Sequence, residues 1–562
     1  LHFLIIFENI LNNYFSTIAE VTMSPTRLYL VLCVLLASTY ADRYHASVEY
    51  GSPARSASAE ENSAQYWAAE ARAGIEERMK HGNIAKGGAR NVVMFLGDGM
   101  SIPTLAAARA LLGQRAGRTG EESQLFFETF PTVGLSKTYC LDAQVADSAC
   151  SATAYLCGVK ANEGTLGVTG AVRRRNCTAS QDPSVRLSSI AAWALADGRD
   201  AGIVTTTRVT HASPAGVYAR AANRNWESDQ DVINDGVDPS QCPDIAMQLI
   251  NEEPGKLFKV ILGGGRREFL PSSVVDEEGT RGERNDSRNL IEEWQADKRS
   301  RNESFRYVLN REQLLEAREE SPQYLLGLFE GSHMQYHLEA DNRTEPTLAE
   351  LTETAIRLLS RNERGFFLFV ESGRIDHAHH DNLPELALDE TLEMDLAVQR
   401  AAELLPAERD LIVVTADHAH VMAFNGYSAR GNPVLGPAQN LDMDGVRYMT
   451  LSYTNGPGRR APGTRPRDDV YLKNFTAFRW MSHVDVPLAS ETHGGDDVGV
   501  FARGPYHNLF GGLYEQSRLP HLMAYAACMG PEPHACSSAS FNAAPAALIS
   551  LAAFLLALGR AA

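Results

Sequence analysis

The stretch GFFLFVESGRIDHAHH, residues 365–380, sets a short apolar run against two acids, three histidines and an arginine. Its apolar half, Phe366 to Val370, is continuous rather than alternating, which reads as a strand covered on both faces. The polar half begins at Glu371, where that strand ends. Asp376 and His380 follow four residues apart, a spacing that puts both on one face of a helix. In open α/β sheets, ligands gather beyond the carboxyl ends of the strands.

The same pattern recurs along the chain. NVVMFLG (91–97) delivers Asp98, and LIVVTAD (411–417) delivers Asp417 and His418. AGIVTTT (201–207) leads to His211 and Ser213. KVILGG (259–264) and DVGVFAR (497–503) are further continuous runs, and the loop ETHGGDD (491–497) presents His493. TLAELTETAIRLLSR (347–361) and ALDETLEMDLAVQRAAELL (387–405) carry helical periodicity. Strand alternating with helix predicts a large, mainly parallel central sheet flanked by helices on both faces. SAQYWAAEARAGIEERMK (63–80) reads as an amphipathic helix ahead of the first strand, placed on a partner subunit or on its own domain. The Gly-, Pro- and Arg-rich segment 426–490 breaks the pattern and reads as a small insertion.

One acid at a strand end is usually a helix cap, but four polar clusters at the ends of one sheet point to a shared metal centre. Asp376 and His380, completed by His493, make a carboxylate–imidazole set suited to zinc. Asp98, Asp417 and His418 make a second. Two ions at about 4 Å clamp the attacking and leaving oxygens of an in-line displacement. Glu371, Ser213, His211 and Asp98 build an oxygen-rich third site, which favours magnesium. In VADSACSATAYLCGVK (145–160), Ser148 stands where a turn becomes an Ala-rich helix, as an N-cap or as a nucleophile facing an anion. Arg224, in ANRNW (222–226), offers a planar fork that matches two phosphoryl oxygens.

With 562 residues, 44% hydrophobic and 22% charged, the chain is globular. Its formal charge of −18 argues against a nucleic-acid partner. Residues 1–22 read as upstream translation. From Met23, MSPTRLYLVLCVLLASTYAD reads as a secretory signal (23–41) cleaved after Ala41, its apolar run too short for the roughly 20 residues of a transmembrane helix. The end CSSASFNAAPAALISLAAFLLALGRAA (536–562) has the pattern of a glycolipid-anchor signal attached at Ser537 or Ser538, with 538–562 removed. The mature catalytic domain is then 42–537. Removing Cys33 leaves seven cysteines, an odd number. Cys528 and Cys536 flank one loop, Cys177 and Cys242 bracket another, Cys140 can reach Cys150, and Cys157 is left over. Sequons at Asn176, Asn285, Asn302, Asn342 and Asn474 fit an exported chain.

Taken in order, GDGMS, DSACSATAYLCGVK, TTTRVTHASPAGVYA, NRNW, ILGGGR, GLFEG, GFFLFVESGRIDHAHH, VTADHAH and ETHGGDDVGVFARGP resemble the motifs of animal alkaline phosphatases across residues 63–530. The resemblance implies a membrane-bound hydrolase of phosphate monoesters with broad leaving-group specificity, acting extracellularly as a glycolipid-anchored homodimer. It implies transient phosphorylation of Ser148 and a grip by Arg224, with His211 and His377 close to the magnesium waters and the phosphate. One zinc falls to Asp376, His380 and His493, the other to Asp98, Asp417 and His418. Magnesium falls to Asp98, Ser213 and Glu371. A calcium site is implied at Phe329, Glu330 and Glu345 with one of Asp276, Glu277 or Glu278. The segment 426–490 corresponds to the family's crown domain. Its disulfides imply Cys177–Cys242 and Cys528–Cys536 with Cys157 unbonded, while a Cys140–Cys150 bridge departs from the vertebrate pattern. The rival readings are a two-metal phosphodiesterase or sulfatase and an anchored surface receptor. Ser213, Glu371 and Arg224 favour the monoesterase.

Overall fold

The structure, a computed structural model, describes residues 59–81, 88–441, 443, 445–458, 470 and 473–530. The expected leader, the anchor signal with Ser537 and Ser538, and Cys536 lie outside the described residues.

Ten strands form one sheet. In chain order they are β1 (Asn91–Gly97), β2 (Thr132–Lys137), β3 (Asp200–Arg208), β4 (Val260–Gly264), β5 (Phe305–Val308), β6 (Tyr324–Leu328), β7 (Phe366–Ser372) and β8 (Asp410–Ala416), then β16 (Val498–Arg503) and β17 (Gly512–Glu515). Their spatial order is β17-β2-β16-β8-β1-β7-β3-β4-β6-β5. Every neighbouring pair is parallel except those made by β16, which runs against both β8 and β2. The mainly parallel sheet expected from the apolar runs is therefore present, and the run at 497–503 is its antiparallel member.

Continuous apolar strands need cover on both faces, and β1 shows how it is supplied. Val92, Met94 and Leu96 enter one core, while Val93 and Phe95 enter the other. The first core is closed by helices α1 (Ala64–His81), α3 (Ser148–Cys157) and α7 (Leu519–Ala527). The second is closed by α2 (Ile102–Arg115), α4 (Leu348–Leu359) and α6 (Pro384–Leu404). α4 starts with a capping box between Thr347 and Glu350, which satisfies two otherwise orphan backbone donors. Phe369 of β7 stacks on Tyr155 of α3 with ring centroids 6.3 Å apart. Truncating Phe369 to Ala would cost about 3–5 kcal/mol and loosen the helix that begins at Ser148. α1 packs on its own domain through an ion pair between Arg518 and Glu70.

The 426–490 region forms small sheets, one of them together with the strand just before it. β10 (Met422–Phe424), β13 (Leu451–Gly456) and β14 (Val484–Pro487) form one, and β11 (Pro437–Leu441) with β12 (Arg447–Met449) forms a second. A last pair, β9 (Ala419–His420) and β15 (His493–Gly494), frames the insertion on either side.

Candidate metal centre

The four central strands β8, β1, β7 and β3 are adjacent and parallel, so their carboxyl ends share one edge. That edge receives Asp417 and His418 after β8, Asp98 after β1, Glu371 near the end of β7, and His211 and Ser213 after β3. Because β16 runs antiparallel, the loop that enters it also arrives at this edge. Pairing of β15 with β9 then sets His493 directly opposite His420. Helix α5 (Arg374–His380) follows β7 and places Asp376 and His380 one turn apart.

The first cluster is Asp376, His380, His420 and His493, with ligand atoms all within 4.8 Å of one another. His380 Nδ1 lies 2.6 Å from the backbone carbonyl of Glu491, and His493 Nδ1 lies 2.7 Å from that of Ala146. A carbonyl can only accept, so both Nδ1 atoms carry a proton, and in the neutral rings both Nε2 atoms present lone pairs. Those two Nε2 atoms are 3.1 Å apart, and each is 3.4 Å from Asp376 Oδ1. Three inward-facing acceptors call for a cation at their centre. Burial opposes ionisation of Asp376, but the imidazoles of His380 and His420 outweigh it and hold its carboxyl well below the usual range.

His420 was not among the residues expected at the site. Its Nε2 lies 2.6 Å from Asp376 Oδ1 and its Nδ1 lies 2.5 Å from Glu491 Oε2. Engaged by a carboxylate on each nitrogen, it fixes Asp376. Only its spacing from His418, two residues along a strand, hinted that it shares the edge.

The second cluster is Asp98, Asp417 and His418. His418 Nε2 is 3.1 Å from Asp417 Oδ2 and 3.5 Å from Asp98 Oδ1. The third is Asp98, His211 and Glu371, with Ser213 Oγ 3.4 Å from Asp98 Oδ2. Thr207 donates to Glu371 Oε2 at 3.0 Å, and Thr205 does the same. Asp98 Oδ1, Glu371 Oε1, Asp376 Oδ2 and His211 Nδ1 are buried and make no hydrogen bond. Burial first, and then mutual repulsion, pushes Asp98 far above the carboxylate range. Burial pushes Asp417 up to about 6 and Glu371 to about 7. These orphaned atoms fit divalent cations, with carboxylate and imidazole donors in the first two clusters and mainly oxygen donors in the third.

Ser148 is the first residue of α3, and Asp147 is its N-cap, accepting from the backbone of Ala149 and Cys150. Of the two readings open for Ser148, the cap is filled by its neighbour: Asp147 takes that role and the serine hydroxyl turns to the metal edge. Ser148 Oγ sits 3.2 Å from His418 Nε2. Arg224 is buried, with Nη1 3.0 Å from Asp147 Oδ2 and Nη2 3.3 Å from His211 Nε2. His377 lies 2.8 Å from Arg374 through Nδ1, and its ring is 5.4 Å from that of His211 and 4.3 Å from that of His333. His333 was also unforeseen. His379 belongs to none of the three clusters; its nitrogens face Thr104 and the Tyr453 hydroxyl, and its ring lies 4.9 Å from that of His420.

At the expected calcium position, Glu345 accepts from the Gln335 backbone at 2.7 Å, and burial pushes it up to about 8. Burial also raises Glu330. Asp276 and Glu278, at 2.7 and 3.2 Å, and Glu277, at 3.8 Å, are turned to Arg266. Glu330 and Glu345 are thus a half-buried and a buried acid near Gln335, and the three candidates for the remaining acid are turned to Arg266. Disulfides join Cys140 to Cys150 and Cys177 to Cys242. Cys528 is bonded, and Cys157 is unbonded and buried. All five sequon asparagines are exposed.

A family model described as alkaline phosphatase matches residues 89–529. Membrane-bound alkaline phosphatase of Bombyx mori is 63% identical over 524 residues, covering 92% of this chain and 95% of the relative. The tissue-nonspecific isozyme of Gallus gallus is 45% identical over 502 residues, covering 88% and 95%. Among solved structures, alkaline phosphatase from Thermus thermophilus aligns with a TM-score of 0.56 at 22% identity, covering 81% of this chain and 95% of that one. The enzyme from the Antarctic bacterium TAB5 aligns at 0.54 and 20%, covering 79% and 99%. At these identities the structural likeness bears on the fold alone.

Proposed function

The chain belongs to the alkaline phosphatase family and hydrolyses phosphate monoesters with the help of metal ions, and from that premise we propose that Ser148 is the nucleophile. The observation that carries the reading is the position of the Ser148 hydroxyl at the start of α3, against the Asp98–Asp417–His418 cluster and close to Arg224 by way of Asp147. In the first step the Ser148 hydroxyl proton passes to water, Oγ bonds to phosphorus, and the ester oxygen departs on the opposite side, taking a proton from water to leave as the alcohol. Water then cleaves the phosphoserine, regenerating the hydroxyl and releasing inorganic phosphate. Asp147 orients the Arg224 fork toward two phosphoryl oxygens, and the helix start adds oriented N–H dipoles. His211 and His377, held neutral by burial and then by neighbouring cations, line the same wall.

Two zinc ions and one magnesium ion per subunit are the assignment that the donor sets support. Asp376, His380 and His493 would hold one zinc. Asp98, Asp417 and His418 would hold the other, and Asp98, Ser213 and Glu371 the magnesium. When bound, these ions supply Lewis-acid stabilisation of the oxygen charge that develops during transfer and lower the pKa of the serine hydroxyl. Calcium near Glu330 and Glu345 is proposed on the two raised carboxyls.

A homodimer is supported by an apolar sheet face that the described residues leave uncovered. Val133 and Leu135 of β2 and Leu513 of β17 are 54%, 38% and 52% exposed, and Leu513 lies in register with Leu135. Sedimentation of Leu135→Lys against the parent chain tests it. A glycolipid anchor at Ser537 or Ser538 is supported by the small-residue and apolar pattern of residues 536–562, and the Bombyx mori relative is named membrane-bound. Release by a phosphatidylinositol-specific phospholipase tests that.

The decisive experiment replaces Ser148 with Ala in the metal-loaded enzyme. Steady-state hydrolysis of nitrophenyl phosphate is expected to vanish, together with acid-trapped phosphoprotein. Turnover at the parent rate would sink the covalent mechanism.

A further inference from the structure

The Cys140–Cys150 disulfide closes a loop of sequence separation 10 that contains Asp147 and Ser148. Inside it, the Ala146 carbonyl accepts from His493. Asp147 Oδ1 accepts from the backbone N–H groups of Cys150 and Gly164 at 3.1 and 2.9 Å. Its Oδ2 accepts from Ala149 N–H at 3.2 Å and from Arg224 at 3.0 Å. Both sulfurs pack on this aspartate: Cys140 Sγ lies 3.9 Å from Oδ1, and Cys150 Sγ lies 3.5 Å from the Asp147 carbonyl oxygen. A disulfide sulfur has no proton to donate, so these contacts fill space beside Asp147. The two cysteines form a small buried core with Ala146 and Ala161.

The other fully described bridge, Cys177–Cys242, has a sequence separation of 65 and sits in a different small core, with Trp226. In the chain-entropy account a longer loop constrains the unfolded chain more. The short bridge therefore does less for global stability, and its main consequence is local.

Given the assignment of Ser148 and Arg224 above, on which this rests, we propose that the Cys140–Cys150 disulfide is a positioning element for phosphate binding. It clamps Asp147, and Asp147 aims the Arg224 fork. Opening the bridge frees the Asp147 carboxylate to turn about its side chain while α3 and Ser148 stay in place, so the fork meets the phosphoryl group less squarely.

The test compares metal-loaded Cys140→Ser/Cys150→Ser enzyme with the parent and with Cys177→Ser/Cys242→Ser. The first variant is expected to raise both KM for nitrophenyl phosphate and Ki for inorganic phosphate about tenfold, the scale of one charge-assisted hydrogen bond. Its kcat should stay within about threefold, because the metal ligands remain in place. The second variant should lower the melting temperature more and leave Ki unchanged. In an Arg224→Ala background, removing the short bridge should add nothing to Ki, because both changes act through one contact.

An unchanged Ki in the Cys140→Ser/Cys150→Ser enzyme, or an undiminished effect of the bridge without Arg224, overturns the proposal. Should Arg224→Ala itself leave Ki unchanged, the reading of the phosphate site falls and the proposal with it. If Arg224→Ala weakens phosphate while the serine pair does not, only the proposal falls. Where the serine pair does not accumulate, the parent enzyme is reduced stepwise with a trialkylphosphine and the alkylated cysteines are mapped. Loss of phosphate affinity must follow alkylation of Cys140 and Cys150, and loss that follows Cys177 and Cys242 overturns the idea.

Discussion

The two halves of the metal edge face the same problem of buried charge and solve it differently. Around Asp376, three imidazoles surround one carboxylate, and the carboxyl is driven below its ordinary range. Around Asp98, carboxylates crowd one another, and Asp98, Asp417 and Glu371 are all driven up. The imidazole-rich half carries part of its own compensation, because His380 and His420 hold the Asp376 carboxyl ionised against burial. In the carboxylate-rich half each imidazole faces two carboxylates, and that half depends on cations to ionise at neutral pH. Asp98 belongs to both of the acidic clusters, so that half stands or falls with it.

The harshest way to probe the difference is Asp98→Asn. One substitution removes a donor shared by two cation sites, and kcat for a simple monoester is expected to fall by at least about 10³-fold. Replacing His493 with Asn should be milder, because its cluster retains Asp376 and His380. Equal losses in the two variants, with metal content measured alongside, would erase the distinction between the halves.

Chelation sharpens it next. In the metal-stripped protein, Asp417 and Glu371 titrate near 6 and 7, above ordinary values of 3.8 and 4.5. Between about pH 4 and 7 the folded chain then holds protons that the unfolded chain has released, so stability falls as pH rises. Bound cations remove that loss. The melting-temperature gap between metal-loaded and stripped enzyme should therefore be wider at pH 8 than at pH 5. A gap that does not change with pH would mean that the acidic half is not what the metals stabilise.

Why the halves were not equally legible in the sequence follows from how each is built. The acidic half comes from residues lying at or just beyond the ends of β1, β7 and β8, whose apolar runs announce them. The expected run at 91–97 coincides with β1, and those at 365–371 and 411–417 are each displaced by one residue. The imidazole half needs a pairing across more than seventy residues, His493 opposite His420, flanking an insertion. Nothing local in a two-residue strand such as Ala419–His420 shows which way a histidine will face. The antiparallel sense of β16 was equally hidden, since a buried run reads the same in either direction. At Asp147–Ser148 two good caps stand side by side, and only the path of the helix decided between them.

His420 offers a gentler test of the imidazole half. It holds Asp376 from one side and Glu491 from the other, so it orients a ligand without being required as one. His420→Asn should leave the fold intact and speed loss of metal to a chelator by about 10- to 100-fold, the usual cost of removing such a buttress. A variant that keeps its metals as tightly as the parent would show that Asp376 needs no such support.

The smallest effect is expected where compensation occurs near solvent. His337 Nδ1 lies 2.7 Å from Asp389 Oδ2, and Arg115 meets the same carboxylate at 2.6 Å. The hydrogen bond to Asp389, outweighing partial burial, with Glu393 nearby, pushes His337 up to about 9. A folded-state pKa above the ordinary 6.5 means that the pair contributes fully below that pH and is lost as pH rises through 9. Because the His337 side chain is 40% exposed, solvent screening holds the contribution below about 1 kcal/mol. Melting curves of His337→Gln and the parent should differ most near pH 6 and converge by pH 10. A constant difference would assign the effect to packing, and compensation by an imidazole would then be a property of the buried edge alone.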